Sequence, residues 1–109
     1  MAAKAYPTID QGADFIFTFE LSDDNDEPID LTGYTGVAVM RKHYSSLTGF
    51  DFDVDINESL GEVTLTMNAY TTSTITPGRY VYDCEVTDID GKVSRIVEGI
   101  VTVTARVNK

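Results

Sequence analysis

The chain has 109 residues and 42% hydrophobic content, which suits one globular domain with a single core and excludes a disordered chain. Eighteen acidic residues against eight basic ones give a net charge of −10. That charge repels phosphate backbones and anionic bilayers, so nucleic-acid and membrane binding are disfavoured and basic partners, cations or plain solubility remain. Cys84 is the only cysteine, so no intrachain disulfide forms and no oxidising compartment is implied. No apolar run approaches a membrane span, and Met1-Ala2-Ala3-Lys4 is not followed by a signal-peptide core, which leads us to expect synthesis in a cytoplasm.

In chain order, Met1–Ala5 reads as an N-terminal tail of small residues, ordered only if something holds it, and residues 6–109 as the single domain. Tyr6–Ile9 suits a short edge strand, where Pro7 is tolerated. Gln11-Gly12 is a turn. Asp14–Leu21 alternates Phe15, Phe17, Phe19 and Leu21 against Ile16, Thr18 and Glu20, which predicts a strand whose phenylalanines form the centre of the core. Ser22–Glu27 is a polar turn. Pro28–Gly33 carries Leu31 as an apolar plug into a strand over Thr35–Lys42, where Val37 and Val39 alternate with Ala38 and Met40. His43–Gly49 is a loop.

Phe50–Ile56 alternates strictly, with Phe50, Phe52, Val54 and Ile56 inward and Asp51, Asp53 and Asp55 outward. Asn57–Gly61 is a five-residue loop into Glu62–Met67, completing a hairpin. Asn68–Gly78 has room for a short helical turn, and its Thr-Thr-Ser-Thr run argues against anything longer. Tyr80–Thr87 places Tyr80, Tyr82, Cys84 and Val86 on one side. Asp90-Gly91 predicts a tight type I′ hairpin, and the last strand runs from Val93 to Val107 with a bulge or close backbone approach at Gly99. Seven or eight short strands with turns every 8–12 residues predict an all-β fold, an immunoglobulin-like antiparallel β-sandwich, with a small barrel as the alternative. The cysteine pair and tryptophan of antibody domains are absent.

The chemistry-bearing residues form no catalytic set. Cys84 reads as a small apolar side chain on an inward strand face, and the only histidine, His43, lies in a loop. Asp51, Asp53 and Asp55 are spaced about 7 Å apart along a strand, too straight to converge on a cation. Asp23, Asp24, Asn25, Asp26 and Glu27 lack the glycine of a calcium loop, and Asp88–Gly91 is explained by turn chemistry. No nucleophile elbow, phosphate loop or histidine pair is present, so no enzyme, cofactor or metal is expected. Tyr80 and Tyr82 belong to the core or its edge, and Tyr44 in its loop is a candidate contact residue.

Four pieces carry a resemblance: Ile9-Asp10-Gln11-Gly12-Ala13-Asp14-Phe15; Pro28-Ile29-Asp30-Leu31-Thr32-Gly33-Tyr34-Thr35; Arg41-Lys42; and Gly78-Arg79-Tyr80-Val81-Tyr82-Asp83 followed by Arg95–Val103. Their order and spacing, from about Tyr6 to Val107, resemble a family of small tailed-bacteriophage virion proteins. They are similar to the immunoglobulin-like N-terminal module of phage baseplate upper proteins. The resemblance implies a non-enzymatic structural part of the virion, made in the host cytoplasm and present in multiple copies on a symmetric particle. It would act as a small adaptor, cement or decoration module of tail, baseplate, neck or head, with other virion proteins as partners. Met1–Pro7, Ser22–Glu27 and His43–Gly49 are the expected contact elements. The alternative function is a carbohydrate- or calcium-dependent adhesion module.

Overall fold

The computed structural model describes residues 3–108. Its strands are β1 (Ala3–Ala5), β2 (Thr8–Asp10), β3 (Phe15–Glu20), β4 (Thr35–Arg41), β5 (Phe50–Asn57), β6 (Glu62–Met67), β7 (Gly78–Thr87) and β8 (Val93–Thr104), with one short helix, α1 (Ala69–Ser73). The fold is all-β. Neighbouring strands follow the order β1-β8-β7-β4-β5-β6-β3, and β2 also pairs with β8.

The sheet curls because β5 changes neighbours along its length. Phe50–Phe52 pair with β4, whereas Asp53–Asn57 pair with β6. Its inward residues therefore face both halves. Phe52 meets Phe15 of β3 at 5.7 Å between ring centroids and Tyr82 of β7 at 6.4 Å. Phe50 meets Tyr80 edge-on at 6.2 Å. Ile9, Leu31, Met40, Val63, Leu65 and Val101 are fully buried around this aromatic spine, each contributing about 1.5–3 kcal/mol by leaving water. Leu31 is the expected plug. On β4 it is Ala38 and Met40 that point inward, while Val37 is exposed.

Several expectations are corrected. Ala3–Ala5 is not a free tail: it pairs in parallel with Val97–Gly99, and the Tyr82 hydroxyl donates to the Ala5 carbonyl at 2.9 Å. Met1 and Ala2 lie outside the described residues. The expected Tyr6–Ile9 strand is shifted to Thr8–Asp10, also parallel to β8, so the sheet is not wholly antiparallel. Phe17 and Phe19 are only half-buried and Phe15 alone of the three is in the core, because β3 ends the strand order and has one neighbour.

The bulge sits at Ile96, where the register slips between Cys84↔Val97 and Glu85↔Arg95. Gly99 serves close approach instead: a Cβ there would overlap the Ala5 carbonyl. The last strand stops at Thr104, and Val107 is exposed. The β5–β6 loop is four residues, with Asn57 still paired to Glu62.

Asn68 caps α1, its Oδ1 accepting the Thr71 amide at 2.8 Å, and Asp14 Oδ1 accepts the Ala69 amide at 2.7 Å. Thr72, fully buried, closes this corner. Its hydroxyl accepts from the Gly12 amide and donates towards the Ala13 and Ala69 carbonyls. Gln11 adds a second tie, donating from Nε2 to the Ile75 carbonyl and accepting the Arg106 amide at Oε1.

Candidate functional site

Cys84 lies between Ala38 and Val97 with no exposed surface. Burial, then the neighbouring Asp83 and Glu85 charges, push its thiol up to about 12. His43 follows Ala38 by five residues, about 16 Å along an extended chain, and is exposed. The structure does not bring the two together. Tyr80 and Tyr82 are buried; desolvation raises both phenols, Tyr82 to about 12 with smaller contributions from Cys84 and Tyr6.

The acidic loops are occupied by their own backbones. Asp23 Oδ1 accepts the Asn25 and Glu27 amides, and Asp88 Oδ1 accepts the Asp90 and Lys92 amides. Both turns close the same way, Asp23 N–H to Glu27 O at 2.9 Å and Asp88 N–H to Lys92 O at 3.0 Å. Asp26, at φ 59°, takes the left-handed position that Gly91 takes at φ 86°. The Asp90-Gly91 turn is therefore not type I′, since only Gly91 of the pair has positive φ. Among the described residues, no three His, Cys, Asp or Glu side chains are grouped to hold a metal ion. Asp51, Asp53 and Asp55 are exposed along β5.

The expected contact elements do not form one surface. Strand directions place Ser22–Glu27 and the Asp88–Lys92 turn at one end, beside the starts of β4 and β6. The His43–Gly49 loop lies at the other end. It is ordered by His43 N–H to Ser46 Oγ and by Arg41 Nη1 to the Ser46 carbonyl, and it displays Tyr44 and Leu47 to solvent. A recess of about 110 Å³ lies where Tyr44, Val39, Val81 and Asp83 meet. At the acidic end, an open hollow of about 990 Å³ is bordered by Tyr34, Asp30, Asp55, Glu58 and Glu62. Two of those carboxylates are engaged. Asp30 is held below the usual carboxylate range by the Thr32 hydroxyl and amide, and Glu58 accepts the Gly33 amide.

One feature escapes a reading of motifs: the charges are segregated. Residues 5–40 and 43–78 hold thirteen of the eighteen acidic residues and none of the eight basic ones. These stretches contain β3, β5 and β6, so that half of the sheet carries no cation. Lys4, Lys92, Arg79 and Arg95 lie on or beside β1, β7 and β8, where Lys4–Glu98 and Arg95–Asp83 pair at 3.2 and 3.4 Å. Mapping Lys and Arg positions along the sequence would have found this asymmetry.

No family model matches the chain, and no curated protein matches it. Among solved structures, an internalin-like protein of Listeria monocytogenes is similar at a TM-score of 0.48 and 21% identity, over 94% of this chain and 28% of that one. This chain thus spans under a third of that protein.

Proposed function

We propose that the protein is a structural component of a tailed-bacteriophage virion, an immunoglobulin-like β-sandwich module that binds other virion proteins. The observation that carries this reading is the position of the resembling residues. Asp10, Gln11, Gly12 and Asp14 tie β2, β8 and α1 together; Leu31 plugs the core; Tyr82 and Gly99 seat β1. These residues hold a frame and leave the surface free to vary with its partner, as suits an assembly part.

The immunoglobulin-like reading is supported by β5 passing between the two halves. It is also supported by Tyr80, at the start of β7, whose hydroxyl donates to the Thr76 carbonyl four residues upstream at 2.6 Å. A tyrosine hydroxyl bonded back to the backbone a few residues upstream also occurs at the corner of such sandwiches. A calcium-dependent adhesion role gains nothing from Asp23, whose Oδ1 already serves its turn.

The test is particle composition. Phage particles purified from a lysate whose genome encodes this chain are analysed by mass spectrometry, and the chain is located by labelled-antibody microscopy. A stoichiometric signal at a symmetric position is expected. A chain left wholly in the soluble lysate, with complete particles lacking it, overturns the proposal.

A further inference from the structure

β3 is an open sheet edge. Leu21 N–H donates to the Gly61 carbonyl at 2.8 Å, in register with the pairs Phe19↔Val63, Phe17↔Leu65 and Phe15↔Met67. In an antiparallel ladder bonded pairs alternate. The odd residues therefore bond β6, and the backbone groups of Ile16, Thr18 and Glu20 point to the side where no strand lies among the described residues.

Natural edges are protected by lysine, proline, bulges or short length. The edge at β1 follows that rule, with three residues, Lys4 within it and Pro7 just after it. β3 does not: Phe-Ile-Phe-Thr-Phe is a run of five strong strand formers without a break, ended by Glu20. The Phe17 and Phe19 rings lie 5.7 Å apart beside this edge and half-exposed. An added strand would cover them.

Charge selects the occupant. Glu20 stands directly opposite Glu62, a like-charge rung that costs stability. No lysine or arginine occurs in β3, β5 or β6 to relieve it. A second copy pairing β3 to β3 would double that acidity between two chains of net charge −10, which disfavours it. We propose that the β3 edge is the docking site for an extended segment of another protein. That segment adds as a strand, with alternate apolar side chains over Phe17 and Phe19 and a lysine or arginine beside Glu20. The inference rests on sheet topology and charge and names the partner chemistry of the assembly role proposed above; the particle test above can fail without it, and it can fail without that test.

The experiment uses the full chain and two synthetic eight-residue peptides. Both have a core of alternating valine and threonine, one with lysine at each end and one with glutamate. Amide exchange by NMR reads the site. The lysine peptide is expected to slow exchange at Ile16, Thr18 and Glu20 and to bind about tenfold more tightly than the glutamate peptide, with the gap narrowing in salt. Thr18→Pro, which removes an outward N–H, abolishes the protection. Should that variant fail to fold, Glu20→Lys keeps the edge and is expected to shrink or reverse the preference. Lack of protection on β3, protection centred on β1, equal binding of the two peptides, or sedimentation as a dimer that Glu20→Lys does not alter would each overturn the proposal.

Discussion

The Tyr82 hydroxyl reaches the Ala5 carbonyl at 2.9 Å, joining residues 77 apart in sequence. It is a bond from β7 across β8 to the outermost strand, β1. Gly99, the cross-strand partner of Tyr82, lies against the same carbonyl, with no Cβ to displace it. Two residues in β7 and β8 thus make the seat for β1. Tyr82→Phe should cost about 1 kcal/mol, the usual net worth of such a bond. Gly99→Ala should displace β1 outright while the remaining strands persist. The measurement is amide exchange at Ala3–Ala5 beside the urea midpoint. Unchanged protection of β1 in both variants would show that the strand is held by something else.

Thr72 predicts a comparable effect from an equally small change. Thr72→Val conserves shape, but the Gly12 amide, bonded at 3.0 Å, and the Ala13 carbonyl, bonded at 2.8 Å, both lose their partner in a partly buried corner. A fully buried unsatisfied group costs about 1–3 kcal/mol, and because these two are partly reached by water the loss should fall near the lower end, about 1 kcal/mol. Thr72→Ser keeps the hydroxyl and should recover most of the loss. A valine variant as stable as the wild type would mean that water satisfies both groups in full.

What the sequence shows and hides divides along physical lines. The strict alternation of Phe50–Ile56 and the short helical turn within Asn68–Gly78 depend on local geometry, and both are legible. The parallel pairing of Ala3–Ala5 with Val97–Gly99 is not, since period-2 alternation states which face is buried but not which strand is the neighbour. Phe17 and Phe19 mislead for the same reason: three phenylalanines on one face signal a core, yet how far each is covered depends on whether a strand lies on both sides. Of the surface, the acidic turns were visible as composition. Their common hydrogen-bond plan appears only once the backbone is folded, whereas the cation-free stretches can be counted in the sequence and become one half of the sheet only when residues are placed on strands.

The two matching turns give a prediction of sign. Asp26 sits at φ 59°, where Gly91 occupies the same step of its own turn. A left-handed conformation costs a residue with a Cβ about 1–2 kcal/mol, against about 0.5–1 kcal/mol of extra chain entropy for glycine. Asp26→Gly should therefore raise stability, by about 0.5–1 kcal/mol. It also removes one charge from a crowded tip, so the gain should persist in high salt if backbone conformation is the cause. Thermal melts at low and high ionic strength separate the two. A gain that vanishes in salt assigns the effect to charge.

Alkaline pH tests the burial of Cys84 and Tyr82 together. The Cys84 thiol rises from about 9 to about 12 and the Tyr82 phenol from about 10 to about 12, both chiefly through loss of water around the charged form. The native protein thus keeps protons that the unfolded chain releases. With fewer protons on the unfolded state, stability falls as pH rises. The contribution is complete below about pH 9 and declines from there towards pH 12. Urea midpoints from pH 8 to 11 should slope downward, and Cys84→Ala, though less stable at the outset, should slope less between pH 9 and 10. Native Cys84 should also resist alkylation at pH 8 until urea is added, because the thiolate is the reacting form and it is both scarce and enclosed. Parallel slopes for wild type and variant, or rapid labelling without urea, would place Cys84 nearer the solvent than its strand position between Ala38 and Val97 allows.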